Sequence, residues 1–330
     1  MIDLKGKRIL FISPVFFGYE KAILSVLERR GAVVHYIDDR PSNNFWLKGI
    51  IRFKKGLLAR SIDEYYKRML SQIAGKHFDY IFALSTEAMP LWFAEKANAL
   101  NPGARRIYYQ WDSFRNKKYT TGYLSLFEKI LSFDPNDCKA YPNVEFHPLF
   151  YIDDYGKISA SCQSFKYDFC FIGTGHTDRF IVIDKIKKIA RDMGKNGFWY
   201  LYLQSKALFW YLKIVNKSRA MKLCDFRFKP LDKKSIIAAI SQSKIIVDVQ
   251  HPKQTGLTIR TIEALGASRK LITTNPTIAD YDFYNPKNIL IIDRNSPEIP
   301  AAFIEEDFQP LDKQIAYKYS LDGWIDAVFG

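Results

Sequence analysis

Short apolar runs, each followed by a polar turn and an amphipathic segment, recur along the 330-residue chain. Near the start, the apolar run Arg8–Ser13 leads through a glycine-containing loop to Tyr19–Arg30, whose apolar residues have helical spacing. A second apolar run, Ala32–Ile37, follows directly. A strand, a helix and a strand in this order form the opening of a doubly wound α/β sheet, so this alternation constrains the fold more than any other feature.

The alternation is present in both halves of the chain, which predicts two domains. In the first half the last predicted strand covers 143–151, and in the second half the first one begins near Tyr167. A length of 330 residues suits two domains of about 100–200 residues each. We therefore expect an α/β fold in which two Rossmann-like domains face a central cleft. The predicted segments are an N-terminal domain over 1–150, a linker over 151–166 and a second domain over 167–311.

The charge of the chain favours anionic partners. Forty-nine Lys and Arg residues against 35 Asp and Glu residues give a net charge of +14, which suits nucleotides, nucleic acid or an anionic lipid leaflet alike. The four cysteines show no metal-site or disulfide spacing, which fits a reducing compartment. No signal-peptide layout and no long uncharged apolar stretch are present. These features predict a cytoplasmic protein, either free or resting on the inner face of the plasma membrane.

The segment Ile245–Asn275 carries the strongest local signal. A buried strand ends at Asp248, and after a polar loop a helix opens at Thr258 with Arg260 and Glu263 in its first turns. The free N–H groups of a helix start bind anions, and an arginine can hold phosphate oxygens in two places. Glu263 lies on the same face and can accept hydrogen bonds from ribose hydroxyls. The alternative is a surface ion pair between Arg260 and Glu263 on an ordinary helix.

A second signal is FIGTGHTDR, residues 171–179. A strand runs into a Gly-x-Gly turn, and glycines let the backbone approach a ligand closely. The third glycine of G-x-G-x-x-G is missing and no acidic residue ends the next predicted strand, which argues against NAD binding. A tight turn between a strand and a helix is the alternative.

These two segments resemble the donor-binding half of bacterial GT-B glycosyltransferases, most closely the group 1-like enzymes of capsule and lipopolysaccharide synthesis. YYQWDS, SFDPNDCKAY and FHPLFY are similar to the acceptor domain of that group, so the resemblance spans nearly the whole chain. It implies transfer of a sugar from a nucleotide-sugar donor to a lipid-linked glycan or polysaccharide acceptor in cell-surface glycan synthesis. It also implies that a C-terminal helix, about 312–330, packs back on the N-terminal domain.

The resemblance implies a set of donor-binding residues and no metal cofactor. Glu263 would hold the donor ribose, while the helix start before it would hold the diphosphate. Many retaining members carry Glu-x7-Glu, but here Thr255 stands eight residues before Glu263, which leaves the retaining or inverting outcome open. The implied donor-binding residues are Gly173, Thr174, Gly175, His176, Arg179, Lys206, Gln254, Thr255, Gly256, Leu257, Thr258, Arg260 and Glu263.

An inverting transferase needs a general base for the acceptor hydroxyl. The candidates are three carboxylates near the ends of predicted strands in the first half: Asp112, Glu87 and Glu20. Asp112 ranks first because the neighbouring Trp111 would shield its carboxylate from water. A helix cap or a surface carboxylate is the alternative for each of them.

The segment 198–222 mixes aromatic residues with Lys and Arg, which suits a membrane interface. A helix from about Ser205 would place four residues on one broad face: Leu208, Tyr211, Leu212 and Val215. The alternative is a core helix with basic ends.

Two other functions fit the composition. One is a basic nucleic-acid-binding protein, but no RNP, KH or helix-turn-helix pattern is present, so we expect no nucleic-acid partner. The other is a non-catalytic module that binds a nucleotide-sugar.

Overall fold

A computed structural model describes residues 1–41, 59–158, 164–175, 178–215, 221–252 and 255–330. The chain divides into two compact units. Unit 1 comprises Met1–Leu149 with Leu321–Gly330, and unit 2 comprises Phe150–Ser320. In the described ranges, no helix is long and apolar enough to cross a membrane.

Unit 1 contains a parallel sheet with the strand order β2-β1-β3-β4-β5-β6. Its strands are β1 (Arg8–Ser13), β2 (Val33–Asp38), β3 (Tyr80–Leu84), β4 (Arg105–Gln110), β5 (Lys129–Ser132) and β6 (Val144–Phe146). Its helices are α1 (Tyr19–Arg29), α2 (Ala59–Ile73), α3 (Leu91–Leu100), a 3₁₀ helix (Lys118–Ser125), α4 (Pro135–Ala140) and the C-terminal α12 (Leu321–Phe329). All of β1 except Arg8 is buried, as expected for a strand inside a parallel sheet that is covered on both faces.

The C-terminal helix α12 completes the core of unit 1. The indole ring of Trp324 is 1% exposed and packs against the rings of Phe82 and Tyr109, with centroid distances of 6.2 and 4.9 Å. The largely buried guanidinium of Arg30 forms ion pairs with Asp322 at 2.7 Å and with Asp326 at 2.5 Å. These contacts hold the last ten residues against elements from the first third of the chain.

Replacing Trp324 with alanine is therefore expected to destabilise unit 1 by about 3–5 kcal/mol, the usual cost of removing a buried aromatic side chain. Trp210 is half exposed and serves as the matched control, with an expected cost for Trp210→Ala below about 1 kcal/mol. Urea unfolding followed by circular dichroism measures both. Equal costs for the two variants would contradict the packing described for α12.

Unit 2 contains a second parallel sheet with the order β12-β11-β10-β7-β8-β9. Its strands are β7 (Tyr167–Thr174), β8 (Gly197–Tyr202), β9 (Phe226–Arg227), β10 (Ser243–Asp248), β11 (Lys270–Thr273) and β12 (Ile289–Ile291). Its helices are α5 (Asp153–Gly156), α6 (Arg179–Asp192), α7 (Lys206–Val215), α8 (Lys233–Ser241), α9 (Ile259–Gly266), α10 (Ala301–Glu305) and α11 (Lys313–Tyr319), with 3₁₀ turns at Leu223–Asp225 and Pro276–Asp280.

Each sheet has one point where the strand order reverses. In unit 1 the crossover after β1 leads towards one edge of the sheet and the crossover after β3 leads towards the other edge. In unit 2 the crossovers after β7 and after β10 diverge in the same way. Neighbouring loops diverge at such a switch point and leave a crevice at the carboxyl ends of the strands, where open α/β sheets bind ligands. The predicted α/β class with two parallel sheets is confirmed.

Two local predictions are wrong. The strand expected over 143–151 is limited to β6, because it lies at the sheet edge and Pro148 has no N–H to donate. In α7 the buried residue is Phe209, whose ring contacts Phe226, while Tyr211 and Val215 of the predicted face are exposed.

Candidate functional site

The carboxyl end of β10 is joined to the start of α9 by a small hydrogen-bond network. Oδ2 of Asp248 accepts hydrogen bonds from the hydroxyls of Thr258 and Thr261, at 2.6 and 2.8 Å. Oγ1 of Thr258 also accepts a hydrogen bond from the backbone N–H of Thr261, as an N-cap residue does. The predicted helix start is therefore fixed beside the end of a strand at the switch point of unit 2.

Arg179, the first residue of α6, lies between the ends of β7 and β10. Its Nε donates to the carbonyl oxygen of Val249 at 2.5 Å, and its Nη1 donates to Oγ1 of Thr174 at 3.0 Å. Burial lowers the pKa of Arg179, and the nearby Asp248 carboxylate partly opposes this effect. A guanidinium stays charged at neutral pH, so the switch point holds a largely buried cation beside two of the predicted loops.

A second guanidinium at this edge was not predicted from the sequence. Arg294, which follows β12, donates from Nη1 to both carboxylate oxygens of Asp178 at 2.8 Å, and from Nη2 to the carbonyl oxygen of Gln250 at 2.6 Å. The signal that could have found it is a cation just past the carboxyl end of a strand, in the run IIDRN. The switch point of unit 2 thus contains two arginines and two aspartates.

The structure brings the predicted pair Arg260 and Glu263 together in the interior. Nη1 of Arg260 lies 2.5 Å from Oε2 of Glu263, and both side chains are largely buried rather than on the surface. Tyr155 of α5, which the sequence did not single out, lies beside both groups, and burial followed by the Glu263 charge raises its pKa. In this arrangement the Glu263 carboxylate is engaged by protein groups, so its contact with a ribose stays a prediction.

The loop before α9 is hydrogen-bonded to the loop that follows β11. The carbonyl oxygen of Thr255 accepts hydrogen bonds from Nδ2 of Asn275 at 3.1 Å and from the hydroxyl of Thr277 at 2.8 Å. Gly256 and Leu257 are buried behind it. These three predicted residues therefore lie together, next to the α9 start.

The remaining predicted donor residues are more dispersed. A Cβ on Gly175 would lie 2.5 Å from the ring of Phe226, so this glycine is needed for the packing of the loop after β7. Gly173 precedes it within β7, and a Cβ there would lie 2.9 Å from the Phe171 ring. Lys206 is exposed at the start of α7. His176 and Gln254 lie outside the described residues.

Glu87 lies between two cations at the switch point of unit 1. Its Oε2 accepts from Nη2 of Arg40 at 2.6 Å, and its Oε1 accepts from Nζ of Lys117 at 3.0 Å. Burial raises the pKa of Glu87, but the charges of Lys117 and Arg40 outweigh burial and lower that pKa to about 2. A carboxylate with so low a pKa is poorly suited to remove a proton near neutral pH.

The other two carboxylates differ in access to solvent. The Asp112 side chain is 36% exposed and accepts from Nδ2 of Asn116 at 3.1 Å, so Trp111 does not shield it from water as expected. Glu20 is 1% exposed, and its Oε2 accepts from the backbone N–H of Phe16 at 3.0 Å. Its Oε1 has no hydrogen-bond partner within the described part of the chain. Asp112 can therefore contact a solute directly, whereas Glu20 cannot.

The substitution Glu87→Gln is expected to destabilise the protein by about 3 kcal/mol at pH 7, because it leaves two buried cations without their carboxylate. The pKa of Glu87 falls from its ordinary 4.5 to about 2 on folding. The charged carboxylate therefore stabilises the fold above pH ~4.5, and this contribution is lost as the pH falls towards ~2. Urea titrations from pH 7 to pH 3 measure the difference between wild type and variant, which should shrink at low pH.

The exposed Glu95 of α3 provides the control, and Glu95→Gln is expected to change stability by less than about 0.5 kcal/mol at every pH. A wild-type advantage over Glu87→Gln that stays constant down to pH 3 would contradict the ion-paired state of Glu87.

Across the described ranges, no group of three or more His, Cys, Asp or Glu side chains could hold a metal ion. The positive charge found at the unit 2 edge comes from arginine side chains.

A scan of family models and a search of curated proteins return no match. Solved structures do match over nearly the whole chain. A glycosyltransferase from Rickettsia africae is 14% identical, with a TM-score of 0.53 over 98% of this chain and 93% of that one. Trehalose-6-phosphate synthase from E. coli, bound with UDP-2-fluoro glucose, is 12% identical, with a TM-score of 0.59 over 98% of each chain.

A putative UDP-N-acetylglucosamine 2-epimerase from Listeria monocytogenes also matches, at 9% identity and a TM-score of 0.52 over 98% of this chain and 95% of that one. Together with the two parallel sheets, these similarities show that the chain has the α/β two-domain fold of GT-B glycosyltransferases. At identities this low they show the fold, and the activity has to be argued from the site.

Proposed function

We propose that this protein is a glycosyltransferase that moves a sugar from a nucleotide-sugar donor to a lipid-linked glycan or polysaccharide in the synthesis of lipopolysaccharide or capsule. The observation that carries the proposal is the position of Arg179 at the switch point of unit 2, beside the start of α9. The hydrogen bonds of Arg179 go to a carbonyl and a hydroxyl, which are neutral groups that an anionic ligand can outcompete.

The proposed chemistry uses these groups to stabilise a leaving group. Transfer breaks the bond between the sugar C1 and a phosphate oxygen, and negative charge develops on the departing nucleoside diphosphate. The guanidinium of Arg179 and the N–H groups at the start of α9 would bind the two phosphates. Because arginine and backbone N–H groups can supply the positive charge, we propose that the reaction needs no metal ion.

The acceptor is proposed to bind unit 1. Of the three carboxylates, Asp112 has the access to solvent that contact with an acceptor hydroxyl requires, and we propose it as the general base of an inverting transfer. The net charge of +14 supports an acceptor at an anionic membrane, so we propose that the protein acts at the cytoplasmic face of the plasma membrane.

Donor binding is tested by calorimetry with UDP, GDP, CDP and dTDP, and with NAD and single-stranded DNA as other ligand classes. We expect one diphosphate to bind and Arg179→Gln to weaken it roughly 10–100-fold, the value of a charge-assisted contact. Arg191 lies on the same helix with its side chain 77% exposed, so Arg191→Gln is the matched control with unchanged affinity. Circular dichroism checks that Arg179→Gln folds. Binding of NAD or DNA with no diphosphate bound would overturn the proposal.

Transfer is tested with the nucleotide-sugar that carries the base found above and with a lipid-linked glycan acceptor. Release of nucleoside diphosphate and labelling of the acceptor are both measured. Asp112→Asn is expected to lower turnover by about 100-fold or more while leaving the dissociation constant of the donor unchanged. Donor binding without release would identify a non-catalytic module, and a changed sugar still joined to the diphosphate would identify an epimerase.

A further inference from the structure

Helix α7 of unit 2 exposes four large apolar side chains. Trp210, Tyr211, Ile214 and Val215 are 52%, 61%, 73% and 57% exposed. Within the helix only Phe209 is fully buried, with Leu208 and Leu212 partly buried beside it. An apolar surface of this kind on a folded domain marks an interaction site more often than chance exposure does.

The attachment of α7 to the sheet explains why this face points outward. The ring of Phe209 packs edge-on against Phe226 of β9 with a centroid distance of 5.3 Å, and β9 is the edge strand of the sheet. Phe226 in turn contacts Phe180 at the start of α6. One side of the helix therefore packs on the edge of the sheet, and no other element among the described residues of unit 2 covers its opposite side.

The stretch of sequence that contains α7 is rich in cationic residues. Residues 193–224 include six Lys and Arg residues and no Asp or Glu. Lys213 lies beside the exposed rings, with its ammonium 5.6 Å from the centroid of Trp210. Apart from its lysines, the hydroxyl of Tyr211 and the indole N–H of Trp210, α7 has no hydrogen-bonding side chain, so it offers little that could specify a protein partner through hydrogen bonds.

We infer that the exposed face of α7 docks this protein on an anionic lipid membrane. Trp and Tyr rings favour the headgroup level, and Ile214 and Val215 reach the acyl boundary. Lysine stems can lie along the apolar surface while their ammonium groups contact lipid phosphates. Lysine is depleted in protein–protein interfaces, which favours lipid over a protein partner.

This surface is close to the proposed donor site. Phe226 contacts Phe209 of α7 on one side, and a Cβ on Gly175 of the loop after β7 would meet the same ring at 2.5 Å. A docked α7 would thus hold the carboxyl edge of the unit 2 sheet near the membrane. The functional meaning of the docking rests on the proposed transfer to a lipid-linked acceptor, whereas the docking itself can be measured without any donor.

The test is co-sedimentation of the full chain with vesicles of phosphatidylcholine alone and of phosphatidylcholine mixed with phosphatidylglycerol. We expect binding to the anionic vesicles, weakened by added salt. Ile214→Glu is expected to weaken binding roughly tenfold or more, the effect of removing one large apolar side chain from the interface. Leu100 is an exposed apolar residue of unit 1, and Leu100→Glu is the matched control with unchanged binding.

Insertion is tested separately with lipids brominated on their acyl chains. Quenching of tryptophan fluorescence by these vesicles is expected in the wild type and is expected to be largely lost in Trp210→Phe. Circular dichroism and the diphosphate affinity in solution show that each variant is folded, and Ile214→Glu should keep the donor affinity of the wild type.

Three results would overturn the docking proposal. The first is that the wild type does not bind anionic vesicles, and the second is that Ile214→Glu binds them as well as the wild type does. The third is that the wild type self-associates and Ile214→Glu abolishes this, which would assign the face to a second copy of the chain. Each can occur while diphosphate binding is intact, so failure of the docking and failure of the proposed function are distinguishable.

Discussion

Parallel strands cannot be joined by tight turns, and the crossovers that join them determine where this protein can bind a ligand. In each unit the crossovers go to both sides of the first strand, so that neighbouring strands end in loops that diverge. In unit 2 these strands are β7 and β10, and in unit 1 they are β1 and β3. The contacts of Arg179, Asp248 and Glu87 lie at these two switch points.

The two switch points differ in the groups that pair with their cationic side chains. In unit 1, Arg40 and Lys117 are both paired with Glu87, so their charges are already balanced by a carboxylate. In unit 2, Arg179 donates to a carbonyl and a hydroxyl, and the carboxylate of Asp248 accepts from two threonine hydroxyls. Arg294 at the unit 2 switch point is paired with Asp178, but Arg179 donates to neutral groups, so an anionic ligand has more to gain there. This difference supports the proposal that the donor binds unit 2.

The strands were the part of the fold most accessible to sequence analysis. The predicted bounds of β1 coincide with the structure because this strand is a buried apolar run between clear turn residues. The buried face of α7 could not be predicted in the same way. Its residues are apolar on nearly all sides, and the choice of Phe209 depends on a ring of β9 that lies 17 residues further along the chain.

The sequence was sufficient to predict which loops form the candidate site, but not which distant residues form hydrogen bonds and ion pairs with them. The segments 171–179 and 245–275 do contain the switch-point residues Thr174, Arg179 and Thr258. Arg294 was missed because its carboxylate partner Asp178 is 116 residues away, and no local pattern reports such a contact. Tyr155 was missed for the same reason, since it meets Arg260 and Glu263 only through the packing of α5 against α9.

The central claim is that a nucleoside diphosphate binds at the switch point of unit 2. Hydrogen–deuterium exchange of the full chain, with and without the diphosphate that binds, tests it most directly. The account predicts slower exchange in the peptides that cover 171–175 and 255–261, because the ligand would engage the loop after β7 and the start of α9. Protection confined to the unit 1 loop at 85–90, with unit 2 unchanged, would contradict it.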